Sequence, residues 1–161
     1  VTVLFAKGIQ NIAYLGSNMD QMVNRCRYQG YEEAYRKGKR KLNQDLVYTD
    51  LSSKAMVEKA VEELKKSGVE CILCQDDYIC DQAVRKLSHM GVRIPDQMKV
   101  ASCHYSRILE NYPVTVTSLK FNITELGRRS CQVLLDMIHG KTVPDKTLLD
   151  YEIILKESTK G

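Results

Sequence analysis

The 161-residue sequence predicts an α/β fold, a doubly wound and mainly parallel sheet. Short β-branched runs alternate with longer amphipathic ones along the chain. Successive strands separated by helices of a dozen residues need crossover connections, which make the sheet parallel and cover both its faces. The composition suits one packed core: 43 % of residues are apolar, 27 % are charged, and there are only 9 Gly and 3 Pro. Disordered, collagen-like and low-complexity chains are thereby excluded. The length is that of one ordinary domain.

The elements follow in order. Asn11 to Leu15 reads as a strand ended by Gly16, and Met19 to Lys37 as a helix with Met19, Met22, Val23 and Cys26 at helical spacing. Asp45 to Thr49 is a second strand. Ser52 or Ser53 caps the next helix, whose stripe is Met56, Val57, Ala60, Val61 and Leu64 and whose end is Gly68. Val69 to Cys74 is a third strand. Asp77 is the expected N-cap of a helix carrying Ile79, Cys80, Ala83, Val84, Leu87 and Met90, closed by Gly91. Lys99 to Cys103 and Val114 to Leu119 are the fourth and fifth strands. Thr124 to His139 is a last long helix and Leu148 to Leu155 a final strand.

No apolar run approaches the roughly 18 residues that a membrane-spanning helix needs. The opening VTVLFAKG has no cationic segment and too short an apolar one, so no signal peptide is expected. The net charge of +4 is too small to argue for nucleic acid by itself. The six cysteines lie mostly in apolar stretches, where a free thiol behaves as a small buried hydrophobe, and this points to the reducing cytosol. Cys71 and Cys74 form a C-x-x-C within a strand, where residues three apart face opposite ways, and no second pair completes a zinc site. No metal and no cofactor are expected.

Ligands of such sheets bind outside the carboxyl ends of the strands. The loops there are Gly16-Ser17-Asn18, Asp50-Leu51, Gln75-Asp76-Asp77 and Cys103-His104-Tyr105, which offer amide, carboxylate, imidazole and phenol groups to a small polar ligand. An enzyme is not indicated. Cys103 and His104 are adjacent on a strand and face apart, and no phosphate-cradling glycine pattern or nucleophile elbow is present. Asp77 and Asp50 are most simply caps, His89 a surface residue near a helix end, and Arg36 to Lys41 a solvated helix end and turn. Arg27 differs, because a guanidinium at the sheet edge could grip hydroxyls or a carboxylate with two parallel bonds.

The order of motifs resembles the LacI/GalR family of bacterial transcription regulators. The blocks that carry the resemblance are Gly8 to Gly16 (GIQNIAYLG), Arg27 to Ala34 (RYQGYEEA), Gln75 to Ala83 (QDDYICDQA), Gly91 to Val100 (GVRIPDQMKV), Tyr112 to Leu119 and Glu125 to Arg128 (ELGR). They keep family order from about residue 8 to residue 159.

The resemblance implies a periplasmic-binding-protein-like fold and, specifically, its C-terminal lobe over residues 8–118 and 148–159. Residues 1–7 would end a helix of the preceding lobe, and 119–147 would cross to that N-terminal lobe. No helix-turn-helix is expected in the chain. The function implied is the effector-binding, dimerising portion of a LacI-type regulator in the cytoplasm. It would sense a small sugar-like or anionic metabolite, with operator DNA bound through a helix-turn-helix not in this chain. A solute-binding protein of a sugar transporter is the alternative.

By the same resemblance Arg27 stands at the effector-binding arginine and Asp76 at a residue that bonds sugar hydroxyls. Leu51 replaces a stacking aromatic, and His104 replaces a ligand-binding aspartate in the segment that ends at Tyr105. Phe121 falls near the hinge. An arginine kept without the acceptor carboxylate and the aromatic platform implies an atypical or anionic effector, or a decayed site.

Overall fold

The computed structural model describes residues 1–160. Among them six strands form one sheet in the order β2-β1-β3-β4-β5-β6. These are β1 (Ile12–Leu15), β2 (Val47–Tyr48), β3 (Cys71–Cys74), β4 (Lys99–Ser102), β5 (Thr117–Phe121) and β6 (Tyr151–Ile154). The first five run parallel, and β6 returns antiparallel to β5 with Ser118 opposite Ile154 and Phe121 opposite Tyr151. The helices are α1 (Thr2–Ala6), α2 (Met22–Lys37), α3 (Lys54–Lys66), α4 (Asp77–His89) and α5 (Ile123–Ile138). The mainly parallel, doubly wound sheet expected from the alternation is the one observed.

All four residues of β1 and of β3 are buried, as a parallel strand covered on both faces requires. Side-chain alternation divides them. Ala13, Leu15, Ile72, Cys74 and Val100 meet the stripes of α3 and α4, whereas Ile12, Tyr14, Cys71, Leu73 and Ala101 meet α1 and α2. Cys71 and Cys74 thus face opposite layers. Ser53 caps α3 by accepting from the Met56 N–H at 3.3 Å. Leu4 and Ile9 join the second layer, so residues 1–7 pack on this sheet.

The face of α2 differs from the expected one. Met22, Val23 and Cys26 are exposed, and the buried side is Asn24, Tyr31, Ala34 and Tyr35. The buried tyrosines lay their rings on the sheet while their hydroxyls donate to the Ile12 carbonyl, at 2.7 Å from Tyr31 and 3.1 Å from Tyr35. Cys131 is likewise exposed, whereas Cys71, Cys74 and Cys80 are buried, and all six thiols are free. The basic run ends α2 in solvent, with Arg36 on Glu33 and Arg40 over the Phe5 ring at 4.4 Å.

The α5 helix has no element of the fold packed closely along it among the described residues. None of its side chains is buried, and its apolar stripe leaves Ile123, Leu134, Met137 and Ile138 more than half exposed. Its first turn is held locally, by Asn122 accepting from the Glu125 N–H at 3.0 Å and by Glu125 paired with Arg128 and Arg129. The hydrogen bonds from Arg128, more than any other cause, hold the Glu125 carboxyl at about 2.

Candidate functional site

Parallel pairing of β1, β2, β3 and β4 brings the four loops named from the sequence to one rim. Two loops meet first. Gly16 donates its N–H to the Tyr48 carbonyl at 2.7 Å, and Gln75 donates its N–H to the Leu15 carbonyl at 2.8 Å. A Cβ on Gly16 would lie 2.6 Å from Tyr14 Cε1 and 2.7 Å from Gln75 Oε1, so this close approach requires glycine.

The N-cap of α4 is Asp76, not Asp77. Asp76 is extended and accepts from the Ile79 N–H at 2.8 Å. Either of two consecutive aspartates satisfies the sequence signal, and the one preceding the first helical residue takes the role. Asp77, one residue into the helix, instead has Oδ1 3.5 Å from His104 Nδ1. Asp76→Ala is expected to cost about 1 kcal/mol of stability as a lost cap, while Asp77→Ala leaves the cap in place. Thermal unfolding of the two variants separates the roles, and equal losses would contradict the assignment.

Arg27 is half-buried on α2 and lines a groove of about 420 Å³ between α1, α2 and the faces of β4, β5 and β6. The Cys103 thiol and Phe121 line it too. Burial pushes Cys103 up to about 11, and the positive charge of Arg27 works against that rise. The negative charge of Asp76 adds to the rise of Cys103 and of Tyr14, opposite in sign to Arg27. The Phe121 ring centre is 6.4 Å from that of His104. Arg27 and Phe121 thus line one groove, His104 lies beside Phe121, and Asp76 caps α4 at the end of β3.

Leu51 and Tyr105, also named from the sequence, are held by other partners, although Tyr105 lines a second groove with His104 and Phe121. Leu51 is buried in the α3–α4 layer, tied by its N–H to the Gly16 carbonyl at 3.0 Å. Tyr105 turns toward a 3-10 turn at Arg107–Glu110, where its hydroxyl donates to Glu110 at 2.8 Å. The ammonium groups of Lys120 and Lys156 lie 5.7 and 5.2 Å from its ring centre. The sequence reading did not single out Gln75 as a site residue. The available signal was a large amide at the first position after a buried strand.

Comparison with known proteins places this geometry. Residues 1–159 match the periplasmic binding protein-like domain family. Among curated proteins, the transcriptional regulator CelR of Thermobifida fusca is 27 % identical over 158 residues, 96 % of this chain and 46 % of that protein. RegA of Clostridium saccharobutylicum is 24 % identical over 161 residues, 98 % of this chain and 48 % of its own length. The chain thus spans about half the length of the curated relatives it matches. Among solved structures, transcription regulator CcpA of Lactococcus lactis superposes with a TM-score of 0.88 at 24 % identity, over 99 % of this chain and 59 % of its own. A complex of the regulator CelR with cellobiose gives 0.86 at 25 % identity, over 98 % of this chain and 49 % of that one. The matched span, the strand order and the shared rim agree: this chain belongs to the periplasmic binding protein-like domain family.

Proposed function

We propose that the chain is the effector-binding portion of a LacI-type transcription regulator and that its ligand is a small anionic sugar derivative. One observation carries the ligand class. Arg27 is half-buried at the rim, yet among the described residues it has no carboxylate partner within ion-pair distance. A partly desolvated guanidinium without a counter-charge favours an anion that takes two parallel hydrogen bonds. The position that would supply an acceptor carboxylate is His104, whose Nδ1 faces Asp77. The relatives support the broader reading, since the curated ones are transcriptional regulators and one solved relative holds cellobiose.

The mechanism is differential affinity: a ligand gripped at the rim shifts a lobe arrangement only as far as it binds that arrangement better. The chain leaves this sheet along β5, forms α5 and returns along β6. The uncovered stripe of α5 fits a second lobe packed against it. Operator DNA bound through a separate helix-turn-helix, a homodimer and a cytoplasmic location complete the reading. The reading assigns no catalytic step, since the curated relatives are transcriptional regulators.

The test is a titration of the full-length regulator with gluconate, glucose and cellobiose, followed by thermal shift. Gluconate is expected to stabilise the protein most. Arg27→Ala should weaken its binding by about 10- to 100-fold, the loss of a hydrogen bond to a charged group. Tight glucose binding with none of gluconate, or an unchanged response in Arg27→Ala, would overturn the anionic reading.

A further inference from the structure

In a sheet of order β2-β1-β3-β4-β5, the chain leaves β1 to one side for β2, while β3 lies on the other. The loops after β1 and β3 therefore diverge, and the crevice between them is where this architecture ordinarily admits a ligand. Here it is filled. Gln75, the first residue after β3, is completely buried. Its Oε1 accepts from the Tyr14 hydroxyl at 3.2 Å and the Ser17 N–H at 3.3 Å, and its Nε2 donates to Ser17 Oγ at 3.1 Å. One amide thus joins the end of β3 to the last turn of β1 and to the loop beyond it.

The ties continue toward Arg27. Asn24 donates to the Asn18 carbonyl at 2.7 Å, and Arg25 donates to the Met19 carbonyl at 2.8 Å and the Asp20 carbonyl at 2.5 Å. The loop that Gln75 holds is therefore bonded to the first turn of the helix that carries Arg27.

We propose that Gln75 is a positioning residue. It closes the crevice between β1 and β3, fixes the loop of residues 16–20 and, through Asn24 and Arg25, sets where Arg27 meets a ligand. The open volume is consequently displaced by one strand, to the space over Cys103 beside Phe121. A ligand enters there and not between the loops that follow β1 and β3. This deepens the effector-site reading and rests on it for the ligand, though not for the loop.

Two measurements on the full-length protein separate these parts. The first is amide hydrogen exchange of the ligand-free protein. Gln75→Ala removes both the filling and the bonds, Gln75→Met keeps the volume without the bonds, and Gln75→Glu keeps acceptors for Tyr14 and for both donors of Ser17. The Ser17 amide is expected to exchange about tenfold faster in the Ala and Met variants and to stay slow in the Glu variant, with the β4 amides unchanged in all three. The Met variant serves if the Ala variant does not fold. Unchanged Ser17 exchange in Gln75→Met, or exchange as fast in Gln75→Glu, would overturn the positioning role.

The second is the thermal shift given by gluconate, expected to fall by at least half in Gln75→Met relative to the parent. A full shift in that variant would overturn the link to Arg27. No gluconate shift in the parent would overturn the anionic-ligand reading, while the exchange result still decides the loop.

Discussion

Tyr14→Ala is expected to destabilise the protein by about 3–5 kcal/mol, the range for deleting a fully buried aromatic side chain. The Tyr14 ring is completely buried at the centre of the layer formed by α1 and α2. Its ring centre lies 5.1 Å from that of Tyr31 and 5.4 Å from that of Tyr28, while Tyr31 packs on Tyr35 and Tyr35 on Phe5. Removing it leaves a void bounded by β1 and a helix already fixed through two bonds to the Ile12 carbonyl, so collapse into the space is limited. Tyr14→Phe keeps the ring and loses only the bond to Gln75, whose Oε1 still accepts from Ser17; about 1 kcal/mol is expected. Urea unfolding of both variants checks this. Similar losses in the two would mean that the hydroxyl, not the ring, carries the stabilisation.

The same layer marks where the sequence was legible and where it was not. The strands β1 and β3 and the helices α3 and α4 could be read because apolar residues set their periodicity: of the expected α3 stripe Val57, Ala60, Val61 and Leu64 are buried, while Met56 at its start is exposed. On α2 two stripes compete. Met22, Val23 and Cys26 have the higher hydropathy and face solvent, whereas Tyr31 and Tyr35 carry polar tips and face the sheet. The tyrosines prevail because the Ile12 backbone accepts their hydroxyls, a tertiary partner that no local pattern reveals.

The rim was legible in outline, since parallel strands put all their carboxyl ends together. Which residues meet there depends on strand order. Arg27 and the loop of His104 were already assigned to this edge by the strand pattern, whereas Phe121 joined them only through the family resemblance. Leu51 and Tyr105 lie beside the right loops, but one side chain turns into the core and the other toward Glu110.

The C-terminal tail gives the other large expected effect. The ladder between β4 and β5 is short, with Ala101 opposite Thr117 and Ser102 opposite Ser118. Before that point the strands need a third partner, and Ser158, completely buried, supplies it. Its Oγ accepts from the Thr117 N–H at 2.9 Å and donates to the Val100 carbonyl at 2.5 Å, while its own N–H donates to the Thr115 carbonyl at 3.0 Å. Thr159 adds a hydroxyl contact of 2.6 Å to Thr117, and the Lys156 N–H donates to Thr117 Oγ at 2.8 Å.

Ser158→Ala strips a partner from two buried backbone groups at once and is expected to cost about 2–4 kcal/mol, each unmet group contributing about 1–3 kcal/mol. Ser88→Ala, at an exposed position on α4, is expected to stay within about 0.5 kcal/mol. Amide exchange locates the loss: the Thr117 amide should lose protection in Ser158→Ala while those of β1 and β3 keep theirs. Because β5 runs directly from Thr117 to Phe121, loosening its start should also reduce the gluconate-induced thermal shift. A destabilised Ser158→Ala protein with an intact ligand response would separate the stitching of β5 from the shaping of the rim. Loss of both together would mean that one serine, at the far end of the chain, helps hold the wall of the site.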